Sequence, residues 1–237
     1  MLTAITPTGD RPLAFDLCQL WMRNQTRKPD QWLVIDDGQA PLKPRIPMEY
    51  VRRQPQPGEP KPTLILNLAA AVPLIKGDRI IVIEDDEYYA PGYAECLDAV
   101  LEHHQVAGIL QSKYYHLPTG KFMQIQNRSH ASLAETGFQI SFLPEFQALL
   151  TGDTYLDMRI WRKAGARGFL FSDEDNPLYL GIKGLPGRPG IGAGHKAAIY
   201  PKTDSPDRRV LRQWIPRDFQ IYLDFLNGSL NLEKAFS

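Results

Sequence analysis

The chain opens with one pattern repeated: a short apolar run, a polar cluster, then an amphipathic stretch. "MLTAIT" is β-rich and stops at the turn formers "PTGDRP", after which "LAFDLCQLWMRN" spaces its apolar residues as a helix does. "QWLVIDDG" repeats the strand pattern and ends in acids and a glycine. "RIIVIEDDE" does so again, after an alanine-rich helical segment over 64–75. Strands that alternate with helices predict an α/β protein with a mostly parallel central sheet and helices on both faces. In such sheets ligands bind beyond the carboxyl ends of the strands. The clusters Thr6 to Arg11, Asp36 with Asp37, and Glu84 to Asp86 are therefore expected along one edge.

The remaining pattern is less regular. "VRRQPQPGEPKPT" is proline-rich and reads as a surface loop. "APGYAECLDAVLEHHQ" predicts a helix with Pro91 in its first turn. "VAGILQSKYYHL" and "KFMQIQ" predict a strand pair, and "GFQISFL" another strand. "TGDTYLDMRIWRKAG" has helical spacing, with Thr151 as cap and Gly165 as stop. From "FLFSDEDNPLYLGIKGLPGRPGIGAGHK" onward a loop-rich stretch is expected, closed by an amphipathic helix from about Arg217 to Asn227. Trp21, Trp32 and Trp161 fall at apolar positions and are expected in the core, whereas Tyr88 and Tyr89, just after the acidic turn, are candidates to line a site.

Composition narrows the function classes. In 237 residues Lys+Arg and Asp+Glu are equal at 27 each, which removes the global positive charge expected of a nucleic-acid-binding protein and leaves only a local groove. Such a groove would have to be built from "VRR" at 51–53 and "PDRRVLRQW" at 206–214. Cys18 and Cys96 lack metal-ligand spacing and are expected as buried thiols in a reducing compartment. The most apolar run, "LILNLAAAVPLI", is too short to span a bilayer, and no secretory pattern opens the chain, so a soluble cytoplasmic protein is expected.

Acids crowded at the end of a strand repel one another unless a positive charge sits among them. A hard divalent cation, Mg²⁺ or Mn²⁺, supplies it, because such ions take oxygen ligands from one or two carboxylates together with substrate phosphates. The plainer reading is a solvated acidic turn. Three strand ends that converge on one edge favour the cation.

With these residues in view, "LTAITPTGDRP", "RNQTRKPDQWLVIDDG", the Asn67 segment and "GDRIIVIEDDEYY" together resemble the nucleotide-sugar-binding half of GT-A fold glycosyltransferases, particularly family 2. The order and spacing carry the resemblance, which is close over about the first hundred residues and loose beyond. It implies one Rossmann-like GT-A domain over 1–237, with a nucleotide-sugar-binding half at 1–105 and an acceptor-side half at 106–237. It also implies a metal-dependent hexosyl-type transfer from a nucleotide-diphosphate sugar, a UDP-sugar favoured, to an acceptor hydroxyl with inversion.

Residue by residue, the resemblance implies that Thr6, Pro7, Thr8 and Arg11 contact the nucleotide, with Asn67 in the same half. Asp36 would accept from base or ribose, and Asp37 would support the turn. Glu84, Asp85 and Asp86 stand at the metal motif, with Asp86 as the leading ligand and Asp85 beside ribose or metal; Glu84 departs from the usual leading Asp. His195 resembles the late histidine ligand of several GT-A enzymes, while Lys183, Arg188 and Lys196 would neutralise the departing diphosphate. Asp153, followed after six residues by Arg159, has the spacing of the family's general base, and Asp157 lies one turn further on the same face. A helix N-terminal acid stabilised by the macrodipole is the alternative for Asp153.

Two rivals remain at this level. A metal-dependent nucleotidyltransferase would want a glycine-rich basic first loop, and "TPTGDRP" offers one glycine and Arg11. A catalytically silent nucleotide-sugar-binding protein would have no need to keep Asp36, Asp85, Asp86, Asp153 and His195 together. The acceptor could be a saccharide, a protein or a modified DNA base.

Overall fold

A computed structural model describes residues 1–59, 63–151, 155–173, 177–190 and 195–236. β1 (Leu2–Thr8) leads into α1 (Pro12–Arg23), β2 (Gln31–Asp36), β3 (Glu49–Arg52), α2 (Leu64–Ala71) and β4 (Arg79–Val82). β5 (Tyr88–Tyr89), α3 (Tyr93–Val100), β6 (Val106–Ile109), β7 (Gln111–His116), β8 (Lys121–Gln126) and β9 (Thr136–Gln139) follow. Then come α4 (Leu143–Leu149), α5 (Leu156–Ala164), β10 (Gly168–Phe171), β11 (Tyr179–Lys183), β12 (Lys202–Thr203), α6 (Arg209–Trp214), α7 (Phe219–Leu226) and α8 (Leu232–Phe236).

The described strands form two sheets. The larger has the order β10-β6-β9-β4-β1-β2-β3 and is parallel except for β9, which runs against β4 and β6. Its strands read as continuous apolar runs because both faces are covered. Ala4, Val34 and Ile81 face α1 and α3, with Phe15, Cys18, Trp21 and Leu97. Ile5, Leu33, Ile35, Ile80 and Val82 face α2, α4 and α5, with Leu68, Phe146, Ile160 and Trp161. The strands β6, β9 and β10 join the sheet begun by β1 to β4, so the chain on either side of residue 105 contributes to one layer. The smaller sheet, β12-β8-β7-β11-β5, starts where the chain leaves β4 and turns into β5.

Several local expectations are corrected. The run at 106–117 is not one strand: β6 joins the large sheet, and after Leu110 the chain enters β7, which pairs with β8. Arg52 is not in a loop but ends β3, a further parallel strand beside β2. "GFQISFL" is strand only to Gln139, beyond which it winds into a 3₁₀ turn. Pro91 precedes α3, whose N-cap is Gly92. Helix α5 starts at Leu156 behind Tyr155, held at φ 53°, rather than at Thr151, and it does stop at Gly165. Among the described residues no helix is long and apolar enough to cross a membrane.

Candidate functional site

Because β1, β2 and β4 are parallel and in register, with Thr8 opposite Asp36 and Ile5 opposite Val82, their polar ends meet on one edge. The acidic turn lies in their midst. Thr8 Oγ1 donates to Asp85 Oδ2 at 2.6 Å, and Arg11 Nη1 donates to Asp85 Oδ1 at 2.8 Å and lies 3.1 Å from Asp86 Oδ2. Both oxygens of Asp85 are thus engaged, each by one donor, so Asp85 holds Thr8 and Arg11 in place. Glu87, not singled out from the sequence, accepts from the Ile182 amide at 2.6 Å and from Lys183 Nζ.

Glu84, Asp86 and Glu87 each place a carboxylate oxygen within 4.8 Å of the others, which is the spacing of a shared cation. Glu84, Asp85, Asp86 and Glu87 are countered here by Arg11 and Lys183, which leaves a formal charge of −2. That shortfall shows in the acidities. Burial, added to repulsion from Asp86, pushes Glu84 up to about 7, and burial pushes Asp85 up to about 6 against the pull of Arg11. Asp86 differs. Burial opposes its charge, but Lys183 and Arg11 hold it below the usual carboxylate range. A divalent cation matches both the missing charge and the oxygen donors.

A cleft of about 170 Å³ opens beside the turn, walled by Arg11, Ala14, Asp86, residues 184–190 and His195. Burial, then the nearby Lys183, lowers His195 to about 4, so its imidazole is neutral near pH 7 and keeps a lone pair. His195 shares the cleft with Asp86 but stands outside the close trio. The segment 184–190 is tied over the first loop: Arg11 Nε donates to the Arg188 carbonyl at 2.8 Å, and the Arg188 amide donates to the Asp10 carbonyl at 3.1 Å. Gly187 permits this approach. It has φ 120°, and a Cβ there would lie 2.7 Å from the Asp10 carbonyl oxygen.

The end of β2 is built differently. Asp36 is fully buried and accepts from the Gly38 and Leu42 amides at 2.8 and 3.2 Å, from Arg52 at 2.6 Å and from the Tyr50 hydroxyl. The chain's own donors engage both of its oxygens. Asp37 accepts from Arg53 at 2.9 Å and Arg188 at 2.7 Å, and Arg188 also reaches Asp10. Asn67 is buried and accepts from Arg53 Nε while donating to the Thr8 carbonyl. Thr6 is buried with its hydroxyl accepting from Trp32 Nε1 at 2.9 Å, so its side chain does not face the cleft; Pro7 is buried beside it in β1.

The other candidates fall as follows. Asp153 lies outside the described residues. Asp157 sits in the first turn of α5, which runs back into β10. Since β10 is parallel to β6, that connection sets the N-terminus of α5 at the same edge of the sheet as the acidic turn. Lys183 is buried against Glu87, Arg188 is committed to Asp10 and Asp37, and Lys196 is exposed. Tyr88 and Tyr89 are buried: Tyr88 packs on Trp21 and donates to Asp218, and Tyr89 packs on Tyr93 while its hydroxyl accepts from the Glu84 amide at 2.8 Å, behind the acidic turn. Arg52 and Arg53 are spent on Asp36 and Asp37, Arg208 reaches the Tyr115 hydroxyl, and Arg212 stacks on Phe219.

No protein-family model matches the sequence, and no curated protein does. Solved structures match the fold. Residues 1–349 of S. aureus TarS align with a TM-score of 0.56 and 14% identity, over 76% of this chain and 60% of that one. The same TarS segment in complex with UDP-GlcNAc aligns over 100% of this chain and 73% of that one, with a TM-score of 0.51 and 15% identity. Its complex with UDP aligns with a TM-score of 0.50 and 12% identity, over 76% and 60%. The chain therefore spans 60% of the length of the first of these structures. It has the GT-A glycosyltransferase fold.

Proposed function

We propose that the protein is a metal-dependent glycosyltransferase that moves a hexosyl-type sugar from a UDP-sugar to an acceptor hydroxyl, with inversion. The observation that carries this reading is the acidic turn at the carboxyl edge, short of positive charge by two and opening on a cleft that Arg11 and His195 share. The binding of UDP-GlcNAc and UDP by TarS supports a UDP-sugar as donor.

The residues present fit Mn²⁺ or Mg²⁺, which Asp86, Glu84 and the neutral His195 would hold, and the bound ion would offset charge on the leaving diphosphate. Arg11 would turn its guanidinium from the acids to the phosphates, adding a fixed positive charge where negative charge develops. Residues 184–190 would cover the donor and exclude water. The cleft is smaller than the roughly 300–1,000 Å³ of most small-molecule sites, so this segment must yield for a nucleotide sugar to enter. The acceptor proton would pass to Asp153 or Asp157, and Asp157 lies in the helix that starts at the same edge. The free thiols of Cys18 and Cys96 suit a reducing cytoplasm.

The test is thermal stability against a panel of nucleoside diphosphates, with and without Mn²⁺, for wild type and Asp86→Ala. A ligand at about 100 times its dissociation constant should add roughly 2.7 kcal/mol. A Mn²⁺-dependent shift with UDP that Asp86→Ala loses is the expected result, and it selects the donor for screening saccharide, protein and modified-base acceptors. No shift with any nucleotide would end the donor-site reading.

A further inference from the structure

Glu87 is one of the three acids close enough to share a cation, yet both of its oxygens are engaged: Lys183 Nζ donates to one and the Ile182 amide to the other at 2.6 Å. The pair is buried, with side-chain exposures of 2% for Glu87 and 7% for Lys183. Lys183 comes from β11 and Glu87 from the turn between β4 and β5, directly before β5, the strand that pairs with β11 in the small sheet. The Tyr114 ring, 5.9 Å from the ammonium, closes the other side of Lys183.

Resting on the metal reading above, we propose that Lys183 is a positioning residue for the metal centre: it holds Glu87 out of the ligand set and, with Arg11, limits the turn to one divalent ion. Four unopposed carboxylates would suit two such ions or one bound without selectivity. A buried ammonium in the place of the second ion fixes the number. It also leaves Asp86 and Glu84 as the acids that remain to meet a cation.

The experiment is calorimetric titration of the full chain with Mn²⁺, with paramagnetic resonance counting the bound ion. Wild type should take one Mn²⁺. Glu87→Gln, which keeps the ammonium and removes an acid, should bind it about tenfold more weakly. The paired change Glu87→Gln with Lys183→Met returns the net charge to the wild-type value and should bind within about threefold of wild type. Lys183→Met alone frees Glu87 and should bind at least about tenfold more tightly or take a second ion; it carries the test in the opposite direction should Glu87→Gln fail to fold. A merely structural clamp would leave the folded variants within threefold of one another, and that result, or a paired variant as weak as Glu87→Gln, overturns the proposal. Wild type that binds no Mn²⁺ overturns instead the metal reading on which it rests.

Discussion

Two acidic turns follow apolar strands in this molecule, one at Asp36 and Asp37 and one at Glu84 to Glu87, and they differ in charge balance. At the end of β2, Asp36 receives Arg52 and three neutral donors, and Asp37 receives Arg53 and Arg188. Although burial penalises its charge, hydrogen bonds from Thr63 and Arg188 hold Asp37 below the usual carboxylate range. Beyond β4, Glu84 and Asp85 are driven up to about 7 and about 6. An acid cluster neutralised by its own chain is architecture. One left short of positive charge is where a cation from solution is stabilised, and perturbed acidities of this kind concentrate at functional sites.

The largest expected effect follows from removing a counter-charge where it is complete. Arg52→Ala leaves Asp36 fully buried without its cation, and breaking a buried pair in this way costs about 3–5 kcal/mol. Urea unfolding at neutral pH measures it. Glu84→Gln should do the reverse in the metal-free protein, since it removes a charge from a cluster that has too many. Should Arg52→Ala cost under about 1 kcal/mol, the two turns would not differ as argued.

The next effect is a pH dependence with a definite sign. Folded Glu84, Asp85 and Glu87 all hold their protons more tightly than the unfolded chain does. Their contribution to stability is therefore complete below the unfolded carboxylate range and is lost as pH rises through about 6 to 8. Metal-free protein should lose roughly 2 kcal/mol across that interval, a figure reduced from the full linkage value because Glu84 is partly open to solvent. Asp10 and Asp37, held low, act in another window: their stabilisation is lost only as pH falls below about 4. Urea melts in EDTA from about pH 5 to 9 read the slope, which saturating Mn²⁺ or Glu84→Gln should flatten. A stability that climbs over this range in wild type would contradict the charge count.

The sequence made the difference between strand ends hard to see, for a physical reason. β1, β2 and β4 are legible because parallel strands covered on both faces are continuous apolar runs, and their common edge follows from the alternation with helices. The acids at that edge are equally legible. Their counter-charges are not. Arg52 and Arg53 sit in β3, a strand hidden between prolines, and Arg188 reaches Asp37 from 151 positions away. Lys183, read as a phosphate contact, meets Glu87 from 96 positions away. The second sheet was lost in the same manner, because the apolar alternation continues through Leu110 while the backbone changes layers. Where α5 begins was misplaced because Tyr155, in the left-handed region, takes the position that a Thr cap would suit.

The smallest effect sharpens what the comparison is about. Tyr50→Phe removes one neutral donor from Asp36 and leaves Arg52 in place. If charge balance separates the turns, the loss should be that of a single hydrogen bond, about 1 kcal/mol, and insensitive to salt. A loss as large as that of Arg52→Ala would mean that saturation by donors, not cancellation of charge, keeps the end of β2 stable. The acidic turn beyond β4 is itself supplied with donors, from Thr8 to Asp85 and from Ile182 to Glu87. On that result the two turns would rank as alike, and the missing charge at Glu84 and Asp86 would no longer single out one of them as the place for a cation.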